Sequence, residues 1–382
     1  MRIGIVAGEV SGDLLGAGLM HEIKKLYPNV VFEGIAGDLM QNEGCEAWYN
    51  SESLSVMGLF EPITQLPKLL LIRKKIYLKW FKNPPDIFIG VDSPDFNLTL
   101  EKKLRDKGIP TVHYASPSVW AWRQRRVKKI KKAVNKMLCF FPFEEEFYNK
   151  HNVPALFIGH PLADTLPENL DKKIERRKLG IDSSKLITIM PGSRIDEVSR
   201  LGLIFAETAK ILAEKYKSIS FISPMVSEKI KSKFEKQLKS CGIRDSFKLL
   251  DGNAIQAIAA SDAVLLASGT ATLEVALLGK PMVAAYRVSF LTYFFLRVFK
   301  MIKVDCVTLP NILIKKSIIP EFIQNSVNPK ILSESVNNFL VDPSKSNKMK
   351  KEFDGLRDLL KQGANKKAAL AINRLIESKN LR

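Results

Sequence analysis

What most restricts the fold of this chain is a rhythm that runs, stops and begins again. Short apolar runs at 2–6, 86–91, 111–114 and 136–140 are rich in β-branched residues and read as strands buried on both faces. Longer amphipathic stretches separate them. Strands spaced by helices pair in parallel, because only a crossover helix returns the chain to the same end of a sheet. After 157–159 comes a polar stretch at 164–178, and the rhythm resumes at 186–190, 218–222, 247–249, 263–267 and 281–285. The break between 165 and 183 divides the chain into two α/β domains, 1–170 and 171–345, expected to face a cleft. The rest, 346–382, is helical, with Leu370, Ile372 and Leu375 on a basic background, and is expected to cross to the first domain or to a partner subunit.

Charge narrows the partners. Against 40 acids the chain carries 59 Lys and Arg, a formal +19, which suits an anionic partner: nucleic acid, a phosphorylated substrate or an anionic membrane. No nucleic-acid module is recognisable. Cys45, Cys139, Cys241 and Cys306 are far apart and form no C-x-x-C, so neither a disulfide framework nor a zinc knuckle is expected, and a reducing compartment fits. Glu9 and Asp13 interrupt the N-terminus before any long apolar run, which argues against a secretory signal and for the cytoplasm. The most apolar later stretch, 284–303, is broken by Arg287, Arg297, Lys300 and Lys303, so no membrane span is expected. His21, His113, His151 and His160 are scattered, and with no H-e-x-x-H or D-x-D pattern no metal is expected.

Ligands of parallel sheets bind beyond the carboxyl ends of strands, and four motifs stand there. Gly8-Glu9-Val10-Ser11-Gly12-Asp13 opens onto a helix without matching a dinucleotide or Walker pattern; the bland alternative is a tight turn capped by Ser11 or Asp13. Asp92-Ser93-Pro94-Asp95-Phe96-Asn97 sets two carboxylates at a strand mouth, one for chemistry and one for structure, with either assignment open and Asn97 as a cap. Pro191-Gly192-Ser193-Arg194 places a guanidinium at a helix start, suited to a diphosphate or simply paired with Asp196 or Glu197. Ser268-Gly269-Thr270-Ala271 offers backbone amides to phosphate, with Glu274 one turn later positioned for a ribose; a plain capping box is the alternative.

Two further features concern surfaces. Seven cations between Arg123 and Lys132 follow Trp120 and Trp122, and form either a single-strand binding site or the solvated face of a helix. Leu66, Leu69, Leu70, Ile76, Trp80 and Phe81 share helical spacing with Lys68, Arg73, Lys74, Lys75, Lys79 and Lys82, the pattern of a basic helix lying on lipid. Phe290, Leu291, Phe294, Phe295, Val298 and Phe299 make a second such stretch, for which a buried helix is the alternative.

Over nearly its whole length the chain resembles the lipid-A-disaccharide synthases. The resemblance rests on AGEVSGDLLGAGL at 7–19, VMGLFE at 56–61, DSPDFN at 92–97, SPSVWAWR at 116–123, FIGHPLAD at 157–164, PGSR at 191–194 and ASGTATLE at 267–274, then on Leu309-Pro310-Asn311 and on Pro320 to Gln324. It implies a GT-B fold of two Rossmann-like domains with a helical tail, and metal-independent, inverting transfer from UDP-2,3-diacylglucosamine to 2,3-diacylglucosamine 1-phosphate without a cofactor. It also implies Asp92 as base and a UDP site at Arg194, Ser268, Gly269, Thr270, Ala271 and Glu274, with Asn311 and Gln324 near it and Ser11 on the donor loop. Membrane-facing residues would be Leu69, Leu70, Lys74, Lys75, Trp80 and Phe81, on an enzyme attached to the inner face of the inner membrane. Dimers with exchanged C-terminal segments are implied as well, and no nucleic-acid partner. The rival readings are another UDP-sugar enzyme of the same architecture, such as an epimerase or a cell-wall glucosaminyltransferase, and a non-catalytic polyanion-binding protein.

Overall fold

Each half of the chain builds one all-parallel sheet. The computed structural model describes residues 1–54, 61–122, 124–168, 170–288 and 306–380. In the first sheet the strands β1 (Arg2–Ala7), β2 (Val31–Ala36), β3 (Cys45–Asn50), β4 (Ile87–Val91), β5 (Thr111–Tyr114), β6 (Lys136–Cys139) and β7 (Ala155–Phe157) lie in the order β3-β2-β1-β4-β5-β6-β7. In the second, β8 (Lys185–Met190), β9 (Ile219–Met225), β10 (Phe247–Asp251), β11 (Ala263–Ala267), β12 (Met282–Tyr286) and β13 (Glu321–Ile323) lie in the order β10-β9-β8-β11-β12-β13. Both are doubly wound, with the winding reversing between β1 and β4 and between β8 and β11. Central strands such as β4, IFIGV, and β11, AVLLA, are buried at every position, so helices must cover both faces.

Four strands escape the apolar-run reading or barely register in it. β2 carries Glu33 at its middle, yet Glu33 is buried because Arg2 and the indole N–H of Trp80 donate to it at 2.7 and 2.9 Å. Gly34 beside it has φ +148°, and a Cβ there would stand 2.0 Å from the Ile5 carbonyl of β1, so the close approach of the strands requires glycine. β3, CEAWYN, β7 and β13 are edge strands only half buried, and edge strands need no continuous apolar run.

The chain divides into two units, Met1–Asp164 with Leu360–Arg382, and Thr165–Leu359. The C-terminal return therefore begins at Leu360 rather than at 346. Helix Pro343–Leu360 buries Met349, Phe353 and Leu356, and Arg357 donates to the carbonyls of Leu277 and Leu166, which ties that helix to the second unit. Helix Ala364–Asn380 packs on helix Val10–Leu26 of the first. Asp164 accepts the N–H groups of Gly363 and Ala364 at its start, while Asn365 and Asn373 bond the hydroxyls of Tyr114 and Tyr27.

Helix Glu61–Lys82 corrects one expectation. Trp80 does not face outward: it is completely buried, edge-on to Phe88 and tilted against Trp48, with its N–H on Glu33. Ile76 is buried too, so the inner stripe of the helix is Ile72, Ile76 and Trp80, while Leu66, Leu70, Leu71, Leu78 and Phe81 are exposed beside Lys74, Lys75 and Lys79. The stretch from Phe290 to Phe299 lies outside the described residues. Among the described residues no helix is long and apolar enough to cross a membrane. Trp80→Ala should lower the stability of the first unit by about 3–5 kcal/mol, through a cavity and the loss of one of the two bonds to buried Glu33; urea titration followed by tryptophan fluorescence measures it, and a loss under about 1 kcal/mol would contradict this packing.

Candidate active site

The expected motifs do stand at the two reversals of winding. In the first unit the β1 loop and the β4 turn touch: a Cβ on Gly8 would lie 1.9 Å from Ser93 Oγ, so glycine here lets two loops meet. Ser11 is exposed on the first turn of helix Val10–Leu26, whose N-cap residue, Glu9, makes no side-chain cap. Asp13 caps a different helix, accepting from Gly37, Leu39 and Met40 at 2.8, 2.9 and 3.1 Å ahead of and within helix Asp38–Asn42. It is spent on structure.

Asp92 follows β4 directly, with its N–H on the Tyr114 carbonyl, 2.9 Å away. It and Ser93 then take φ of +49° and +44°, two successive left-handed residues without glycine. Such a conformation costs about 1–3 kcal/mol per residue and persists only where the surroundings enforce it, which is typical of functional turns. Asn97 enforces it. Its buried amide donates to the Asp92 carbonyl at 2.8 Å, with Val91 and Val6 carbonyls at 3.3 Å, so it ties the turn to β1 and β4 instead of capping a helix. The Asp92 side chain meets no hydrogen-bond partner among the described residues, and it lines a cavity of about 340 Å³ in which apolar Leu54, Leu66, Leu69, Leu70, Pro94 and Phe96 stand beside Glu9, Arg73, Ser93 and Asp95. Asp95 differs. Its carboxylate, 80 % exposed, pairs with Arg126, and its carbonyl accepts from Arg73.

The neighbouring strand ends carry packed side chains. The basic run continues as helix Val127–Ala133, with Val127, Ile130 and Ala133 buried and the cations outward, the solvated-face alternative. Trp120 packs edge-on against Phe143 at 4.6 Å. His160, tilted against the Phe140 ring, is kept neutral by burial, which lowers it to about 4. Behind the Ser116 loop lies Glu144, which periodicity gave no means of finding. It is buried at the start of helix Pro142–Lys150 and accepts from the Phe140 and Phe141 N–H groups at 3.1 Å.

In the second unit the PGSR loop precedes helix Ile195–Lys215. Its Ser193 and Arg194 amides, expected to be open to phosphate, are taken by the Glu197 carboxylate at 2.9 and 3.3 Å. The Arg194 guanidinium itself is 82 % exposed and only 3.7 Å from Glu197. At β11, Ser268 donates its N–H to Ala285, Gly269 and Thr270 are exposed, Ala271 is half-buried, and buried Thr272 closes the turn onto the Gly269 carbonyl at 2.7 Å. The Glu274 carboxyl has no hydrogen-bond partner among the described residues; burial raises it above the ordinary range, and it opens on a cavity of about 540 Å³ beside Asn253 and Gln256.

Asn311 requires correction as a ligand contact, and Gln324 is partly engaged within the fold. Asn311 is completely buried: its amide donates to Ile319 and Glu321 and its oxygen accepts from Ile318 and Ile319, which exhausts its bonding capacity. Gln324, at φ +53°, uses its amide on both backbone groups of Val288. Both shape the chain around β12 and β13; the Asn311 amide is fully used there, whereas half-buried Gln324 keeps one Nε2–H and part of its oxygen's accepting capacity.

A model of the family described as lipid-A-disaccharide synthetase matches residues 3–375 of the chain. A lipid-A-disaccharide synthase of Hahella chejuensis is 48% identical over 378 residues, covering 99% of this chain and 95% of that one. One of Serratia proteamaculans is 43% identical over 379 residues, covering 99% of each. Among solved structures, the UDP-GlcNAc 2-epimerase of Neisseria meningitidis bound to UDP-GlcNAc superposes with TM-score 0.66 at 14% identity, over 99% of this chain and 100% of that one. A glycosyltransferase of Rickettsia africae gives TM-score 0.62 at 13% identity, over 98% of each. At such identity the likeness concerns the fold.

Burial pushes the Glu144 carboxyl from its ordinary 4.5 up to about 8, against the pull of the amides it accepts from. Between those values the unfolded chain has lost a proton that the folded chain keeps, so this group's contribution is full below 4.5 and fades as pH rises through 8. Glu144→Gln, neutral throughout, should flatten the decline in urea midpoint across that window, whereas parallel profiles for variant and parent would contradict a protonated Glu144.

Proposed function

The chain belongs to the lipid-A-disaccharide synthase family, and from that premise we propose how its residues divide the work of joining UDP-2,3-diacylglucosamine to 2,3-diacylglucosamine 1-phosphate. The reaction yields the β-1,6-linked disaccharide 1-phosphate and UDP. Asp92 is the base. As the acceptor 6-hydroxyl oxygen attacks the donor anomeric carbon, its proton passes to the Asp92 carboxylate; the bond from that carbon to the diphosphate breaks, and UDP leaves with the electron pair. Proton removal of this kind contributes typically ~10² to 10⁴-fold. The observation that carries the assignment is an unpartnered carboxylate held on an enforced left-handed turn at the reversal of winding. Asp95, already paired with Arg126, serves the structure.

The second unit supplies the leaving-group side. Arg194 reaches a diphosphate oxygen with its exposed guanidinium, and the backbone of Ser268, Gly269, Thr270 and Ala271 adds dipoles, so that charge growing on UDP is stabilised electrostatically. The Glu274 carboxyl, poised without a partner among the described residues, accepts from a ribose hydroxyl. Ser11 lies on the exposed rim of the donor loop. The apolar side of the cavity beside Asp92, from Leu54, Leu66, Leu69, Leu70 and Phe96, favours an acylated acceptor over the bare sugar nucleotide that an epimerase handles, with Glu9 and Arg73 lining its polar part.

Those walls continue onto the lipid-facing side of helix Glu61–Lys82. Leu66, Leu69 and Leu70 line the cavity, and Leu70, Phe81, Lys74 and Lys75 share the exposed side with Leu71, Leu78 and Lys79. The helix thus offers acylated substrates a path from an anionic bilayer, and the enzyme attaches to the inner face of the inner membrane without spanning it. A dimer formed by exchange of helix Ala364–Asn380 would reuse the Asp164, Tyr114 and Tyr27 bonds described above.

Asp92→Asn should lower kcat at least 100-fold with UDP affinity within about threefold of the parent, because size and polarity persist while basicity goes. Disaccharide and UDP are measured by mass spectrometry. Turnover within tenfold of the parent would remove Asp92 from the role, and a larger loss in Asp95→Asn would exchange the two acids. Changing Lys74, Lys75 and Lys79 together to Glu should weaken sedimentation with anionic vesicles at least tenfold, given about 1 kcal/mol per charge near such a surface, while UDP binding is spared. Equal sedimentation of variant and parent would place the lipid contact elsewhere.

A further inference from the structure

The turn that carries Asp92 is backed by polar groups set in an otherwise apolar core. Asn97, Glu101 and His113 are all completely buried. Asn97 and Glu101 stand one turn apart on helix Pro94–Arg105, and His113 of β5 pairs in register with Gly90 of β4. Asn97 donates to the Asp92 carbonyl at 2.8 Å, and behind it His113 Nδ1 lies 2.6 Å from Glu101 Oε1. Gly90 makes room for them. A Cβ there would stand 2.2 Å from Glu101 Oε1 and 3.1 Å from Asn97 Cγ, which places both groups against one spot on the strand that leads into Asp92.

Two oxygens in this cluster have no partner, Asn97 Oδ1 and Glu101 Oε2. As a carboxylate, Glu101 would leave Oε2 and Asn97 Oδ1, on residues one helical turn apart, as two buried acceptors without a donor. With a proton on Oε2 it becomes a donor. Burial also raises the Glu101 carboxyl above its ordinary range, although His113 pulls the other way. His113 with its proton on Nδ1 then donates to Oε1 and leaves Nε2 as a lone pair, in keeping with Nε2 having no partner.

We infer that Asn97, Glu101 and His113 form a neutral positioning chain for the catalytic turn. It runs from His113 Nδ1–H to Glu101 Oε1, from Glu101 Oε2–H to Asn97 Oδ1, and from Asn97 Nδ2–H to the carbonyl of Asp92, and it holds Asp92 and Ser93 in their left-handed conformation. The inference rests on Asp92 being the base, and none of the three touches substrate.

The test compares Glu101→Met with Glu101→Gln. Methionine fills similar volume and makes neither bond, so kcat should fall at least tenfold while the acceptor KM and UDP affinity stay within about threefold. Glutamine reproduces a neutral acid, accepting from His113 and donating to Asn97, and should restore most of the lost kcat. Crystal structures of the two should show positive φ at Asp92 and Ser93 kept in the glutamine variant and lost in the methionine variant. A glutamine variant as impaired as the methionine one would show that the carboxylate must be charged and overturn the neutral chain. Full kcat in Glu101→Met, alongside inactive Asp92→Asn, would overturn the positioning role and leave the base in place. A displaced turn in Glu101→Met together with an active Asp92→Asn would keep the positioning of the turn and remove the base.

Discussion

The pairing of β1 with β4, and of β8 with β11, is the constraint on which the chemistry of this molecule depends. Chain-neighbouring strands wind away from each other at these two pairs, so the loops leaving their carboxyl ends diverge and open a crevice that no crossover helix fills. The Gly8 loop and the Asp92 turn leave the first pair; the PGSR and SGTA loops leave the second. Burial of the strands on both faces makes the pairing rigid, and that rigidity lets a turn with two left-handed residues persist.

A second regularity is the use of carboxylates at helix starts. Asp13, Glu144, Asp164, Glu197 and Glu321 each accept at least two backbone N–H groups at or just ahead of a helix N-terminus. There they satisfy orphan donors and meet the positive end of the helix dipole. Three of the five reach across 13 to 200 residues of chain, so they are tertiary clamps more than local caps. This use leaves Asp92 and Glu274 conspicuous as acids with no such duty. It also gives Glu197 a hold on the amides that a diphosphate would otherwise find at the PGSR loop.

The apolar walls beside Asp92 and the exposed leucines of helix Glu61–Lys82 are one continuous feature. That continuity links the two halves of the functional reading, transfer to a sugar hydroxyl and substrates that carry acyl chains. The same helix turns Ile72, Ile76 and Trp80 inward, so a single amphipathic element closes the core on one side and presents lipid-compatible surface on the other.

Much of this was legible in the residues themselves. Apolar runs bounded by turns located the central strands, and because loops at their carboxyl ends carry the ligands of parallel sheets, Asp92, Arg194 and the Ser268 loop could be named from position. Periodicity alone could not rank Asp92 against Asp95, since the difference is the Arg126 that reaches only one of them. Nor could it show that Trp80 points inward, because a basic helix with apolar residues on most sides has no unique buried face until Glu33 offers the indole a partner. Asn311 and Gln324 sit in motifs that mark them as polar, yet the Asn311 amide is used up by Glu321 and the backbone of Ile318 and Ile319, and Gln324 binds both backbone groups of Val288, 36 residues away. Local sequence determined which segments are strands, which are helices and where the loops with chemistry fall, because those depend on short-range spacing. Tertiary structure alone decided which polar groups are spent on the fold and which are left to react, because a hydrogen-bond partner brought from a distant strand leaves no mark on the spacing of its neighbours.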